Sequence, residues 1–392
     1  MNYKISISIL GSTGSIASSV FEIIDKKKFY FKINLLSSNK NYNLICKQIR
    51  KYKPKFFFIK NREIFNDINK KFNKSSTKII NSLDKIRFNK KNDITISAIP
   101  GISGLKSTII MTQFSKKILI ANKESVICGW HLIKNKAIKN KTEIVPIDSE
   151  HFSIQKLIEN HSITRIKKIY ITASGGPFLN YRLSQFKNIK PKDAIRHPKW
   201  KMGKKISVDS STMMNKILEL IEATKLFNIP IDKLDILIHP NSLIHAIVEF
   251  KNGLTKFLYH KTSMTVPIAN AIFGENFDMN RYFNKNDKKQ NLFQDNLIFK
   301  KVDPKRFPVI RLKNRVIEHT STPIIINASN EILVDQFLKK NIQFSSIYKI
   351  IMDILKDVNY KKYAIRKPKN IMQIYKIHNW AKDATLKRIK IK

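Results

Sequence analysis

The chain has 392 residues, enough for two or three domains with buried cores, and its 42% hydrophobic and 10% aromatic residues exclude a disordered chain. Its formal net charge is +45, from 74 lysines and arginines against 29 aspartates and glutamates. The basic residues are spread along the whole length rather than gathered in one arm. We therefore expect no nucleic-acid partner, although the positive field favours association with small anions.

The number of cysteines and the hydropathy of the chain indicate where in the cell the protein is located. Cys46 and Cys128 are the two cysteines, too few for a disulfide framework or a cysteine metal cluster, so a reducing cytoplasm is the expected location. Residues 1–11 predict a strand rather than a secretory signal. No apolar run approaches the roughly 18 residues that a membrane span needs, so no membrane partner is expected.

The first motif in chain order is a glycine-containing turn between a strand and a helix. Residues 3–10 predict the strand, residues 11–17 read GSTGSIA, and a helical pattern follows. Gly11 would permit the tight turn, Gly14 would let the backbone approach a pyrophosphate, and Ala17 stands at the third position of the dinucleotide fingerprint. The motif predicts a dinucleotide-binding fold.

The loop after the second strand indicates which dinucleotide is bound. Residues 31–37 predict that strand, and residues 38–41 read SNKN. NAD enzymes usually place an acid here for the ribose 2′-hydroxyl, whereas a cation accommodates a 2′-phosphate. Lys40 therefore favours NADP over NAD. A chance lysine in a lysine-rich chain is the alternative interpretation.

Strands then alternate with helical patterns, which is typical of a doubly wound parallel sheet. Ligands bind such sheets at the carboxyl ends of the strands. The predicted strands are 55–59, 93–99, 117–121 and 143–147.

Two of these strand ends carry polar groups. Residues 122–125 read NKES, which puts Lys123 where the reactive end of a cofactor would lie. Asp148 and Glu150 follow strand 143–147 and are one residue apart, so on an extended segment both would point to the same side. Two carboxylates forced together repel unless a cation lies between them, and oxygen ligands suit Mg²⁺ or Mn²⁺. A polar loop is the alternative interpretation.

A further strand, 166–173, precedes the sequence SGGPF at 174–178. A serine and two glycines in a turn expose backbone N–H groups that bind an anion. An ordinary turn between a strand and a loop explains the pattern equally well.

The central stretch, 196–223, combines a basic loop with an amphipathic helix. His197, Trp200 and Met202 lie in the loop, and residues 209–212 (DSST) are predicted to turn into the helix. Helical spacing puts the Asn215 amide, the Lys216 ammonium and the Glu219 carboxylate on one face. Hydroxyls and a lysine at a helix start suit a phosphate. A capped helix with an ordinary Lys–Glu pair is the alternative.

The rest of the sequence predicts strands, helices and connecting segments, with histidines that pack against apolar neighbours instead of binding a ligand. Residues 234–250 contain two strand-like runs around Pro240, with His239 and His245 among apolar neighbours, and His151 has no second ligand at metal spacing. Helical runs at 309–319, 323–339, 344–357 and 370–390 predict a bundle. The predicted division is a Rossmann-like dinucleotide-binding domain (1–147), a central α+β domain (148–273), a linker (274–308) and a C-terminal α-helical domain (309–392).

Taken in order, these motifs resemble the 1-deoxy-D-xylulose 5-phosphate reductoisomerase family of the non-mevalonate isoprenoid pathway. The resemblance covers nearly the whole chain, and MGKKISVDSSTMMNK (202–216) joined to PIDSEH (146–151) is its most specific part. Other matching segments are GSTGSIA (11–17), ANKES (121–125), SGGPF (174–178), RHPKW (196–200), LIHPNSLIH (237–245) and NASNE (327–331). The departures are Ala17 for a glycine and SSNKN at 37–41.

The resemblance implies a role for each matching residue, with NADPH as cofactor and Mg²⁺ or Mn²⁺, and Co²⁺ as a further candidate, as metal. The implied cofactor-binding residues are Thr13, Gly14, Ser15, Ile16, Asn39, Lys40, Asn41, Asn122, Glu124 and Gly203. The implied metal ligands are Asp148, Glu150 and Glu219, which with Lys123 are the implied catalytic residues. The implied substrate-binding residues are Lys123, Ser149, Glu150, Ser174, His197, Ser210, Asn215, Lys216 and Glu219.

The same resemblance implies an activity and an assembly. The expected enzyme is a homodimer that rearranges 1-deoxy-D-xylulose 5-phosphate and reduces the product with NADPH to 2-C-methyl-D-erythritol 4-phosphate. Residues 1–147 would bind NADPH, and residues 148–273 would form the catalytic domain with the metal site, the lid and the dimer interface. The loop around Trp200 and Met202 would be a mobile lid with Gly203 as its hinge. Two alternatives remain open: an NADP-dependent sugar-phosphate dehydrogenase without isomerisation, and a basic binding protein on an enzyme fold.

Overall fold

The computed structural model describes residues 4–200, 202–274, 278 and 296–390. The chain divides into two compact units. Residues 1–125, 131–152 and 264–289 form the first unit, and residues 126–130, 153–263 and 290–392 form the second. No helix in the described part of the chain is long and apolar enough to cross a lipid bilayer.

The first unit contains a parallel sheet surrounded by helices. Its strands are β1 (Ile5–Leu10), β2 (Phe31–Ser38), β3 (Phe56–Ile59), β4 (Lys78–Ile80), β5 (Asn92–Ser97), β6 (Ser115–Ile120) and β7 (Glu143–Pro146). Its helices are α1 (Ser15–Lys26), α2 (Tyr42–Tyr52), α3 (Arg62–Lys71), α4 (Ser103–Met111), α5 (Lys123–Lys139), α6 (Ser149–Ile158) and α10 (Thr265–Phe273), with parts of α5 and α6 grouped in the second unit.

The strand order is β4-β3-β2-β1-β5-β6-β7, and every neighbouring pair is parallel. Consecutive residues of one strand lie in different hydrophobic clusters: Leu35 in one and Leu36 in the other, and Phe56 and Phe57 likewise. Both faces of the sheet are therefore covered, as parallel sheets require. The predicted doubly wound sheet is confirmed, and the carboxyl ends of β1, β6 and β7 bring their polar residues to one edge.

The second unit combines a smaller mixed sheet with helices. Its strands are β8 (Ile166–Ala173), β9 (Leu234–Ile238), β10 (Ile244–Phe250), β11 (Thr255–Tyr259) and β12 (Lys300–Lys301), in the order β11-β10-β8-β9-β12. Its helices are α7 (Pro191–Ala194), α8 (Lys204–Thr212), α9 (Met214–Phe227), α11 (Thr322–Leu338), α12 (Ser346–Ile354), α13 (Tyr360–Ala364) and α14 (Ile371–Lys390).

Helix α9 packs against β8 and β9. Helix α11 packs against α12, α14 and α8. The central α+β region and the C-terminal helices match the predicted fold class. The predicted helix 309–319 is instead a 3₁₀ helix, Pro308–Asn314, and the short strands β4, β11 and β12 were not predicted. Most of the predicted linker lies outside the described residues.

Candidate functional site

The predicted dinucleotide turn lies at the carboxyl end of β1. Gly11 has φ +83°, and a Cβ there would lie 2.6 Å from the Ala98 carbonyl oxygen, so only glycine fits. Gly14 directly precedes α1, and its N–H donates to the Gly11 carbonyl at 3.0 Å. The first turn of α1 contains no acid. This arrangement presents a positive helix end to an anion.

The loop after β2 borders this turn. Thr13 Oγ1 and Ser38 Oγ share a hydrogen bond of 2.9 Å, which joins the two loops. Asn39 and Lys40 are exposed. The Asn41 side chain accepts from the Leu44 N–H at 3.2 Å and so caps α2. Lys40 is the cation of this loop and is accessible to a phosphate.

The Asn122 side chain, at the carboxyl end of β6, makes hydrogen bonds to several neighbouring segments. It is 3% exposed; its Oδ1 accepts from the Ser125 N–H at 2.6 Å and caps α5. Its Nδ2 donates to the carbonyls of Ile99 and Gly101, the second at 3.1 Å, and to Glu124 Oε2 at 3.3 Å. These bonds fix the start of α5, where Lys123 is located.

Lys123, Asp148 and His151 form a charged cluster within the first unit. Lys123 Nζ lies 2.5 Å from Asp148 Oδ2, and His151 Nδ1 lies 3.0 Å from Asp148 Oδ1. Burial by itself raises the pKa of Asp148, but the Lys123 charge and the hydrogen bond and charge of His151 hold that pKa well below its usual value. Asp148 is therefore a carboxylate at neutral pH. His151 was not predicted to belong to the site, although its spacing of three residues from Asp148 at a helix start could have indicated this contact.

The backbone around Glu150 differs from the prediction. Residues 149–158 form α6, so the expected extended segment is wrong, and Glu150 lies in the first turn of the helix. Asp148 precedes the helix, and its Oδ1 accepts from the Glu150 N–H at 3.2 Å. Ser149 Oγ donates to Glu150 Oε2 at 2.5 Å. A backbone N–H of the helix start holds the Asp148 carboxylate and the Ser149 hydroxyl holds the Glu150 carboxylate, so strand alternation does not orient them.

In the second unit, the turn after β8 meets the basic loop. Ser174 Oγ and His197 Nε2 are 3.0 Å apart, and His197 Nδ1 accepts from the N–H groups of Lys199 (3.2 Å) and Trp200 (2.8 Å). An accepting Nδ1 leaves the proton of a neutral imidazole on Nε2, which then donates to the serine. Gly176 has φ +64°, and a Cβ there would lie 3.2 Å from the Ser210 carbonyl oxygen.

The predicted histidine packing is borne out in this unit. His239 is 0% exposed and His245 is 2% exposed. The rings of His245 and His260 stack with centroids 3.8 Å apart. Trp200 of the basic loop meets the His245 ring edge-on at 6.1 Å.

The predicted helix start at 209–212 is wrong. These residues form the last turn of α8, and Met213, with φ +67°, separates α8 from α9. Side-chain hydroxyls of this turn donate to carbonyls of the same helix. Ser211 donates to the Val208 carbonyl at 2.8 Å and Thr212 to the Asp209 carbonyl at 3.2 Å. A hydroxyl-rich sequence can end a helix as well as begin one, because serine and threonine also bond back to earlier carbonyls.

The predicted polar face at the start of α9 is confirmed. Asn215 Nδ2 donates to Glu219 Oε1 at 2.5 Å, and Lys216 Nζ lies 2.7 Å from Glu219 Oε2. Glu219 is 1% exposed and Lys216 is 7% exposed. Two side chains of the same helix therefore hold a buried carboxylate in place.

A dinucleotide-type turn on a parallel sheet, with lysine, hydroxyl and carboxylate groups in both units, defines the class of nucleotide-dependent enzymes that act on anionic substrates. Three family models match the chain. "1-Deoxy-D-xylulose 5-phosphate reductoisomerase" matches residues 7–129, its "C-terminal domain" matches 144–227, and "DXP reductoisomerase C-terminal domain" matches 260–384. The chain belongs to the 1-deoxy-D-xylulose 5-phosphate reductoisomerase family.

Individual members of this family are similar to the chain over nearly its full length. The reductoisomerase of Pelagibacter ubique is 44% identical over 384 residues, covering 95% of this chain and 97% of that protein. A crystal structure of DOX-P reductoisomerase with NADPH, fosmidomycin and magnesium has a TM-score of 0.90 at 30% identity, covering 98% of each chain. The Zymomonas mobilis enzyme with NADPH has a TM-score of 0.83 at 30% identity, covering 98% of this chain and 99% of that one.

Proposed function

We propose that this chain converts 1-deoxy-D-xylulose 5-phosphate to 2-C-methyl-D-erythritol 4-phosphate with NADPH and magnesium, for isoprenoid precursor synthesis. The observation that carries the proposal is family membership over nearly the whole chain, at 44% identity to one reductoisomerase. Solved relatives hold NADPH and magnesium, which supports both cofactors here. Manganese and cobalt stay predictions.

The residues proposed for the metal have suitable chemistry. Asp148, Glu150 and Glu219 offer carboxylate oxygens, the donor type that magnesium prefers. The lowered pKa of Asp148 keeps it ionised, as a ligand must be. When bound, the ion would act as a Lewis acid and a template for the substrate carbonyl and its neighbouring hydroxyl.

Lys123 is proposed to act at the reacting carbons. Its ammonium contacts Asp148, so the pair has no net charge, and both groups have fixed positions. A fixed cation can stabilise negative charge that develops on a substrate oxygen, and it needs no reorganisation during the reaction. Ser149 and Glu150 are proposed to bind the substrate hydroxyls nearby.

The NADPH site is proposed at the turn after β1 and the neighbouring loops. Gly14, Ser15 and Ile16 would meet the pyrophosphate at the start of α1, beside Thr13. Lys40, with Asn39 and Asn41, would meet the 2′-phosphate, which favours NADPH over NADH. Asn122, Glu124 and Gly203 are proposed for the remainder of the cofactor.

The phosphate of the substrate is proposed to bind in the second unit. Ser174 and His197 are already hydrogen-bonded to each other, and Ser210 borders the same turn through Gly176. Asn215 and Lys216 lie in the first turn of α9, where the positive end of the helix dipole favours an anion. One lysine–phosphate contact at about 4 Å is worth roughly 4 kcal/mol per unit charge at an effective dielectric near 20, before desolvation. Such remote binding energy can orient the reacting end.

Three features of the whole protein remain proposals on the same basis: a homodimer, a cytoplasmic location, and the division into NADPH-binding, catalytic and C-terminal helical domains. The loop that carries Trp200 and Met202 is proposed as a lid over the substrate. Closing it would exclude water from the reaction.

The decisive experiment follows NADPH absorbance after addition of 1-deoxy-D-xylulose 5-phosphate, with and without a chelator. We expect oxidation that stops on chelation and resumes with magnesium, and a product identified by mass and NMR as the branched methylerythritol phosphate. A straight-chain reduced sugar phosphate would instead indicate a dehydrogenase without isomerisation. No NADPH oxidation would reject the proposal.

A further inference from the structure

The second unit contains a buried carboxylate–amide pair that joins the C-terminal helices to α8. Asp209 lies in the last turn of α8 and is 2% exposed, and Asn330 lies in α11 and is 0% exposed. Asn330 Nδ2 donates to Asp209 Oδ1 at 2.7 Å. The other carboxylate oxygen, Oδ2, accepts from Lys205 Nζ at 2.8 Å, one turn earlier in α8. The buried charge is thus held from two helices.

The side-chain amide of Asn330 makes its hydrogen bond through its N–H group and not through its oxygen. Its Oδ1 is buried and has no hydrogen-bond partner within the described part of the chain. Burying an oxygen without a partner destabilises a fold, so the N–H bond to Asp209 must offset that cost. A carboxylate acceptor makes this bond stronger than one between neutral groups.

The pair fixes the residue that precedes Ser210. Among residues 207–214, all of them described, Ser210 alone is partly exposed, and the other seven are buried. The hydroxyls of Ser211 and Thr212 bond back to carbonyls of α8. Ser210 is therefore the residue of this otherwise buried turn that a ligand can reach, and its backbone lies next to Gly176 of the Ser174 turn.

We propose that Asn330 and Asp209 are positioning residues that hold Ser210 in place to bind the substrate phosphate. The inference rests on the proposed function and deepens it, because it assigns to a C-terminal helix a role in substrate affinity. A misplacement of about 1 Å caused by a change far from the reacting atoms can cost an enzyme about 100-fold in rate, so a small shift of the α8 turn would have a measurable effect. Neither residue touches the substrate; each acts through the α8 turn.

The test compares Asn330→Asp with the double variant in which Asp209→Asn is added. The single variant places two carboxylates face to face and removes the donor, so we expect the KM for 1-deoxy-D-xylulose 5-phosphate to rise about tenfold. The KM for NADPH should stay within about twofold. The double variant restores an amide–carboxylate bond with the roles exchanged and should recover most of the substrate KM.

Ser329→Ala is the matched control, because Ser329 is equally buried in the same helix and its hydroxyl has no partner within the described residues. It should change neither KM. An unchanged substrate KM in Asn330→Asp, or equal rises in both KM values without recovery in the double variant, would overturn the inference. Asn330→Ser replaces Asn330→Asp if the latter does not fold, with the same KM comparison deciding. If the wild type itself does not oxidise NADPH with this substrate, the proposed function fails, not this inference alone.

Discussion

Glu219 is buried at 1% exposure, yet its two carboxylate oxygens are held by neighbours in its own helix, Asn215 and Lys216. A buried carboxylate is destabilising unless it is paired and hydrogen-bonded. The Lys216 ammonium balances one charge, and the Asn215 amide orients the other oxygen. This arrangement fits a side chain whose position matters more than its contribution to stability.

Glu219→Gln tests the proposed metal role of this side chain. The amide keeps the shape and one oxygen but loses the charge that a divalent ion needs, so we expect magnesium-dependent turnover to fall by at least about 100-fold. NADPH binding should persist, because all the proposed cofactor residues except Gly203 lie in the first unit and Glu219 is not among them. Steady-state kinetics over a magnesium series, with NADPH fluorescence titration, measure both. Unchanged activity would remove Glu219 from the metal site.

Lys216→Ala is the companion variant at the same helix turn. We expect a large rise in the KM for the sugar phosphate, because a cation proposed to bind the phosphate is removed, while activity still responds to magnesium. A raised KM with an unchanged response to magnesium would distinguish the role of Lys216 from that of Glu219. If the KM did not change, the phosphate would have to bind elsewhere.

At the level of single residues, the sequence predicted the types of groups better than their local geometry. The spacing of Asn215, Lys216 and Glu219 was sufficient, because helical periodicity fixes which side chains share a face. The contact of His151 with Asp148 was missed, because it depends on α6 beginning at Ser149, where an extended segment was predicted. The sequence did contain a signal of this boundary, since Pro146 ends β7 and aspartate is a residue type that often precedes a helix.

Among elements, the long parallel strands were predictable and the short or irregular elements were not. Strands β1, β2 and β6 end in buried runs, residues 7–10, 35–38 and 118–120. β4 and β12 have three and two residues, too short for an alternating pattern. The break between α8 and α9 occurs at Met213, a non-glycine residue with positive φ, which local propensity does not favour. Packing of both helices imposes it.

Helices α11 and α14 meet at a buried histidine, which predicts a pH dependence of stability. Burial and the nearby charge of Lys382 lower the pKa of His378 to about 4, although the Glu331 carboxylate lies 3.6 Å from its Nε2. The unfolded chain protonates this histidine near pH 6.5 and the folded chain only near pH 4. The unfolded state therefore binds more protons between these values, and stability falls as the pH decreases through that window.

His378→Gln should remove this component. For each protein, the free energy of unfolding at pH 5 is compared with its own value at pH 7.5. The decrease should be about 2 kcal/mol smaller in the variant than in the wild type. Urea unfolding at the two pH values, followed by far-UV circular dichroism, measures it. Lys382→Gln should reduce the effect only in part, because burial is the larger cause. Identical pH dependence in the wild type and His378→Gln would contradict the assignment.

For the molecule as a whole, the dominant physical feature is the net charge of +45. Ion pairs are present, as between Lys51 and Asp25 and between Lys339 and Asp335, but cations outnumber anions by more than two to one. Because 29 acidic residues cannot pair one to one with 74 basic residues, positive charge is in excess whichever ion pairs form. Such an excess opposes compaction by self-repulsion, while it draws anionic substrates to the surface.

Salt should therefore stabilise the protein. Raising NaCl from about 50 mM to about 500 mM shortens the Debye length from over 10 Å to under 5 Å and screens the repulsion. We expect the melting temperature to rise by several degrees, and the association rate of the sugar phosphate to fall over the same range. Differential scanning fluorimetry and stopped-flow NADPH oxidation measure the two effects.

The control is a variant with less positive charge. Lys28, Lys74, Lys106 and Lys369 are exposed, and replacing all four with glutamate lowers the net charge from +45 to +37, since each change removes two charges. At low salt the variant should melt at a higher temperature than the wild type, and its melting temperature should depend less on NaCl. A melting temperature that falls with NaCl in the wild type would show that local ion pairs outweigh the overall repulsion. The excess lysine would then not limit the stability of the fold.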